Sequence, residues 1–194
     1  MRAELRRWRR SVPIRARRAA ATRVAQRALR LRQLRSARRV AAYSSCGGEL
    51  DTLPLLHALQ AHGTAVYIPR IPPGSHRITF VRWSPRLPLH RPAHGHREPA
   101  VCRPLLPARR LQLVFVPLLA FDAHGGRLGQ GGGYYDRCFA GRRGHRPRLV
   151  GHAYAGQQRE CVPAAPWDVR LDAVLTERGL LRCEPATCGA GELQ

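Results

Sequence analysis

The sequence predicts an α/β fold: a single three-layer domain with a mostly parallel central sheet flanked by helices, plus N-terminal helices. Three observations carry this expectation. Residues 40–44, 53–59 and 64–68 read as strand, helix and strand, an order that suits a parallel sheet. Residues 111–116 form a short apolar run ended by Pro117, which suits a buried strand better than a helix. A further strand-like run, 148–154, follows it. At 194 residues the chain suits one domain with a substantial core. That domain is expected to span 1–180, and residues 181–194, which lack periodicity, to form a flexible tail.

In chain order, residues 1–39 are rich in Arg and Ala, with Glu4 the sole acid. Leu5 and Trp8 sit three apart, and Val24, Leu29, Leu31 and Leu34 recur loosely at helical spacing after a Ser11-Val12-Pro13 start signal. One short and one longer helix are expected. A targeting helix, a nucleic-acid arm and an integral helix of the domain all fit this composition. After the strand at 40–44 comes the loop Gly47-Gly48-Glu49-Leu50-Asp51-Thr52, with Thr52 placed to cap a helix that takes Pro54 in its first turn. Leu53, Leu55, Leu56 and Leu59 give that helix an apolar face, Gly63 ends it, and Pro69 closes the next strand. Residues 77–83 alternate as an outer strand with Ile78, Phe80 and Trp83 packed. His90, His94 and His96 are spaced like metal ligands, but no Cys or carboxylate completes the set, and a polar loop is the favoured reading.

The most informative stretch runs from Gly125 to Arg137. It follows the strand at 111–116 and precedes a helix start at Tyr134, with Gly141 able to stop that helix. Gly129, Gly131, Gly132 and Gly133 lack Cβ atoms, so bare N–H groups can approach a ligand, and N–H groups at a helix start favour phosphate oxygens. Arg127 and Arg137 flank the loop and suit forked contacts to phosphate. Asp136 is an oxygen ligand of the kind that holds Mg²⁺ on a nucleotide, and Tyr134 and Tyr135 offer flat faces. The loop is neither a Walker A motif, since the chain has no Lys, nor a dinucleotide fingerprint, since Tyr134 stands where the third Gly belongs.

The formal charge of +22 invites a nucleic-acid reading. All 34 basic residues are Arg, however, and Asn is absent as well as Lys, a bias that points to a GC-rich coding background. The charge is therefore weak support for a polyanionic partner, and nucleic acid is not expected as the main one. Cys46, Cys102, Cys138, Cys161, Cys183 and Cys188 are scattered without a C-x-x-C pair, so free thiols and a cytoplasmic location are expected. No apolar run approaches the roughly 20 residues that span a bilayer.

Phe121-Asp122, then Gly126-Arg127-Leu128-Gly129, then Gly131-x-Gly133-Tyr134-Tyr135-Asp136 closely resembles the signature of the 5-formyltetrahydrofolate cyclo-ligase (5,10-methenyltetrahydrofolate synthetase) family. Flanking segments agree in order from Arg2 to Glu177, including Glu98-Pro99, Gln157, Val162-Pro163, Asp168 and Thr176-Glu177. The resemblance makes the N-terminal helices part of the domain. It implies ATP and 5-formyltetrahydrofolate as partners, Mg²⁺ as cofactor, and ring closure to 5,10-methenyltetrahydrofolate with release of ADP and phosphate through an imidate phosphate. A monomer is expected.

Carried over residue by residue, the resemblance places ATP against Arg2 and Arg6, against Arg127 and Leu128, against Gly129, Gln130, Gly131, Gly132 and Gly133, and against Tyr134, Tyr135 and Asp136. Arg2 stands where the family usually has Lys, and the loop lacks the basic residue that many members carry there. Glu49, Tyr134 and Tyr135 are implied as substrate contacts, Asp136 as the metal ligand, and Arg127, Tyr135 and Asp136 as catalytic. Which tyrosine faces the folate stays open. Two alternatives remain beside this reading: a non-catalytic member that binds folate or nucleotide, and a basic RNA-binding module.

Overall fold

The computed structural model describes residues 1–72, 74–90, 97–100, 105–142 and 146–184. The N-terminal region folds as α1 (Arg2–Ser11), α2 (Ile14–Leu29) and the single turn α3 (Arg32–Arg35), with the break at Val12-Pro13. Proline cannot donate an N–H, so one helix stops and the next starts there. Then come β1 (Arg39–Ala41), α4 (Leu53–Ala61), β2 (Ala65–Arg70), β3 (Thr79–Arg82), β4 (Leu89–His90), β5 (Glu98–Pro99) and β6 (Leu105–Leu106). The second half contains β7 (Leu113–Val116), β8 (Ala120–Phe121), β9 (Arg127–Leu128), α5 (Tyr134–Phe139), β10 (Arg148–His152), β11 (Ala173–Leu175) and β12 (Leu180–Arg182).

Among the described residues, eight strands form one sheet in the order β12-β11-β10-β7-β1-β2-β3-β6. The inner five pair in parallel, and β12, β3 and β6 join antiparallel at the two sides. β7 and β11 are buried at every residue, as strands covered on both faces must be. One core packs α2, α3 and α4 on one face through Val24, Ala28, Leu34, Leu55 and Leu59. The other holds Phe80, Phe121 and Phe139 beneath α5. The chain leaves β1 towards β2 on one side and continues from β7 towards β10 and β11 on the other. The strand order therefore reverses between β1 and β7, and in open α/β sheets the ligand crevice lies beyond the strand ends at such a point.

The mostly parallel α/β sheet with flanking and N-terminal helices is as expected, and four local expectations need correction. Residues 79–82 are not the outer strand, because β6 pairs beyond them. β2 runs through Pro69 rather than stopping before it. Its parallel partner β1 reaches only to Tyr67, so the donor that proline lacks is not needed on that side. Thr52 is the N-cap residue of α4 but does not cap it with its side chain. Its hydroxyl donates to Tyr43 O at 2.6 Å, and Asp51 Oδ1 accepts from Leu53 N instead. Residues 180–182, read as the onset of a tail, pair with β11, and Cys183 packs on the second core. Residues 185–194, Cys102, Cys188, His94 and His96 lie outside the described residues.

Candidate active site

A cavity of about 430 Å³ opens at the strand reversal. Tyr43 and Ser44 enter it just beyond β1, and Pro117 just beyond β7. One wall is the Gly-rich loop with Arg127, Leu128, Tyr134, Tyr135, Asp136 and Arg137, and another is apolar, with Pro69, Ile71 and Ile78. Pro163, Ala165, Trp167 and Asp168 complete the rim.

The loop is held by what precedes it. β8 and β9 pair as a hairpin whose turn closes on Asp122. Asp122 Oδ1 accepts from His124 N and Gly126 N, and its Oδ2 from Val162 N. A buried carboxylate that receives several backbone N–H groups fixes the turn rigidly. β9 then carries Arg127 into the wall, where Nη2 donates to Asp136 Oδ1 at 2.5 Å. Val169 N donates to the same oxygen at 3.0 Å, and Ala165 N donates to Asp168 Oδ2 at 2.8 Å. Asp136 thus ties the 165–169 segment to the loop. Arg127 is 8% exposed and its Nε has no partner, a buried donor on a cavity wall.

α1 supports the loop from the side. Arg2 Nε donates to Gly129 O at 3.2 Å, and Arg6 donates to both Oε1 and O of Gln130. Arg2 also lines the cavity, whereas Arg6 does not. Gly133 takes φ +61° immediately before α5, a left-handed conformation that favours glycine, whereas a Cβ there would meet only the movable end of Arg137. Arg137 folds back over the Tyr134 ring, 5.1 Å from its centroid, and donates to Gly132 O at 2.6 Å.

Of the residues implied by the resemblance, Arg2, Arg127, Leu128, Gly129 through Gly133, Tyr134, Tyr135 and Asp136 all line this one cavity. Glu49 does not. It is 7% exposed and lies behind the loop, accepting from Cys46 N and, at 3.4 Å, from Gln130 Nε2. Tyr135 packs towards Phe139, and burial followed by the Glu49 carboxylate pushes its phenol far above the ordinary range. The same two causes raise Tyr43. Sequence reasoning missed Tyr43, Trp167 and the buried Arg9. Tyr43 was within reach of the rule that ligands sit beyond parallel strands at a reversal. Trp167 and Arg9 carry no local signal.

Among the described residues no three His, Cys, Asp or Glu side chains cluster as a metal site, and His90 stands exposed on β4. Cys46, Cys138, Cys161 and Cys183 form no disulfide, and burial pushes the Cys138 and Cys183 thiols up to about 11. No described helix is long and apolar enough to cross a membrane.

A model of the 5-formyltetrahydrofolate cyclo-ligase family matches residues 1–177. The chain is 38% identical over 154 residues to the 5-formyltetrahydrofolate cyclo-ligase of Haemophilus influenzae, covering 78% of this chain and 82% of that one. It is 38% identical over 145 residues to the protein of the same name from Escherichia coli K12, covering 71% and 76%. The solution structure of Aquifex aeolicus 5,10-methenyltetrahydrofolate synthetase superposes with a TM-score of 0.79 at 27% identity, covering all of this chain and 94% of that one. The Mycoplasma pneumoniae synthetase shares the fold, with a TM-score of 0.71 at 20% identity over 91% of this chain and 96% of that one.

Proposed function

The chain belongs to the 5-formyltetrahydrofolate cyclo-ligase family, and from that premise we propose how its own residues carry the reaction. It is an ATP-dependent enzyme that converts 5-formyltetrahydrofolate to 5,10-methenyltetrahydrofolate. The observation that carries the residue assignment is the cavity itself. At the strand reversal it sets a glycine loop ringed by Arg2, Arg127 and Arg137 against a wall of Tyr43, Ile71 and Ile78.

ATP lies with its phosphates on Gly129 to Gly133. The unpartnered Nε of Arg127 supplies a donor on the wall, and Arg2 a second cation at the rim. The reduced pterin lies on the apolar side, against Tyr134 or Tyr135. Glu49, which contacts the loop through Gln130, is the carboxylate assigned to the pterin side. The formyl oxygen attacks the γ-phosphorus, the bond to ADP breaks, and an imidate phosphate forms. N10 then attacks the activated carbon, the ring closes, and phosphate leaves with the former formyl oxygen. The protein contributes position and charge neutralisation rather than a covalent nucleophile.

The donor set fits Mg²⁺ held mainly by nucleotide phosphates, because such ions take one or two carboxylates from the protein. Asp136 and Asp168 both line the cavity and are linked through the 165–169 segment. They would hold the ion, which when bound neutralises charge on the β- and γ-phosphates. The assembly proposed for this reading is a monomer. A cytoplasmic location is the one proposed with this reading.

The test is absorbance of the methenyl product with purified protein, 5-formyltetrahydrofolate and MgATP, beside Asp136→Ala. Product formed only with ATP, and lost in the variant, supports the full reading. Equal product from both removes Asp136 from its role, and no product from either, with ATP still bound, replaces the reading with a non-catalytic member.

A further inference from the structure

Arg9 is a charged side chain sealed inside the protein at 2% exposure, on the face of α1 that meets the turn after β1. The helix approaches that turn so closely that a Cβ on Gly48, at φ +82°, would stand 3.1 Å from the Arg9 carbonyl oxygen. Arg9 Nη1 lies 3.5 Å from Glu49 Oε1 and donates to Leu118 O at 3.4 Å, and Nη2 donates to Gly47 O at 3.5 Å. Glu49 Oε1 also accepts from Gln130, and Gln130 accepts from Arg6. The contacts close a circuit that leaves α1 at Arg6, passes through Gln130 and Glu49, and returns to α1 at Arg9. Arg6 and Arg9 are three residues apart on one helix face, so one rigid element sets both the phosphate loop and the buried carboxylate.

We propose that Arg9 is a positioning residue for the reaction: it holds the buried Glu49 carboxylate directed at Gln130, and so couples the folate side of the site to the phosphate loop. The functional half of this inference rests on the reading of Glu49 as a folate-side group. The guanidinium is always charged, and it stands where a lone carboxylate would be driven to its neutral form. The other groups that face Glu49 cannot replace it. Tyr43 at the end of β1 and Tyr135 on α5 have phenols raised by burial and then by Glu49 itself. The Tyr154 hydroxyl donates to the Glu49 carbonyl at 3.4 Å, and Cys46 offers its backbone N–H. None of these is a cation.

Thermal unfolding from pH 4.5 to 8 and steady-state kinetics of Arg9→Met, Arg9→Lys and the double variant Arg9→Met/Glu49→Gln test the proposal. Arg9→Met should unfold about 10 °C below the parent at neutral pH. Its deficit should grow as pH rises. A carboxylate stranded in the interior keeps its proton in the folded chain above about 4.3, where the unfolded chain releases it, so the folded form loses stability through that window. Adding Glu49→Gln should remove the slope, and Arg9→Lys should keep the parent's pH dependence. In kinetics, Arg9→Met should raise the folate KM about tenfold and move the acid limb of kcat/KM to higher pH.

A deficit that is independent of pH and unchanged by Glu49→Gln would mean that Arg9 only fills space, and would overturn the proposal. So would a slope in Arg9→Lys equal to that in Arg9→Met, or an unchanged folate KM. If the parent makes no methenyl product, the reaction assignment fails, while the unfolding data still report on the ion pair.

Discussion

Arg127 and Asp136 meet at 2.5 Å on the wall of the cavity, whereas Arg9 and Glu49 meet at 3.5 Å behind it. Side-chain exposures are 5% and 15% for the first pair and 2% and 2% for the second. In both, the arginine Nε is buried without a partner. The setting gives that orphan donor opposite meanings. Beside a cavity it is a position a phosphate oxygen can satisfy, so the desolvation it costs is recovered on binding. In the sealed pair no ligand reaches it, and the charge there serves geometry, at a cost to stability that a hydrophobic pair would avoid. The two pairs should therefore separate activity from stability.

The largest expected effect lies at the cavity pair. Asp136→Ala removes the partner of Arg127, the anchor of Val169 and the oxygen proposed to hold the metal, so turnover should fall by about 10³-fold, read as the rate of methenyl product. Its unfolding midpoint should move less than that of the sealed pair. Glu49→Gln should act most strongly on stability, leaving Arg9 as an unpaired interior cation and destabilising the fold by roughly 3–5 kcal/mol, measured by denaturant unfolding, while its kinetic effect falls on the folate KM rather than on turnover. If both variants lose activity and stability in the same proportion, the contrast between the pairs collapses.

Two smaller effects sharpen it. Arg137 is exposed and already engaged by Gly132 O and the Tyr134 face, so Arg137→Ala should raise the ATP KM only about five- to tenfold, and less at high salt. An unchanged KM would remove Arg137 from the phosphate rim. His152 is 2% exposed, its Nδ1 lies 3.2 Å from the Tyr43 hydroxyl, and burial lowers its pKa to about 3. Below about 6.5 the unfolded chain takes up a proton that the folded chain refuses, so this group's contribution is present above that pH and is lost as pH falls towards 3. His152→Leu should flatten the melting temperature against pH between those limits, and a slope identical to the parent's would assign the acid sensitivity elsewhere.

Much of the site was legible because its chemistry is local. Gly129 to Gly133, with Arg127 and Asp136 around them, form one stretch in which conformational freedom, charge and a carboxylate sit side by side, and the fold brings them to one cavity as that stretch implies. Glu49 was found only through the resemblance. Its burial behind the loop could not be read, because the group that permits it, Arg9, is indistinguishable in sequence from the many solvated arginines around it. The edge strands were misjudged for a related reason. β6 and β12 are short and lack alternation, and they exist because β3 and β11 offer them unpaired edges.

Residues and their spacing alone determined the α/β class, the order of the central strands and helices, and a glycine-rich loop between β9 and α5 suited to phosphate. Periodicity, glycine and proline act within a few residues, so a chain displays them without folding. The tertiary structure decided which arginines face the cavity, which one is sealed, and that Tyr43, Trp167 and Asp168 join the loop across nearly ninety residues of chain for the first and some thirty-five for the other two. Those choices follow from the sheet reversing between β1 and β7 and from α1 closing on Gly48. Burial of a charge depends on the sum of neighbours that packing brings together, and no window of sequence contains that sum.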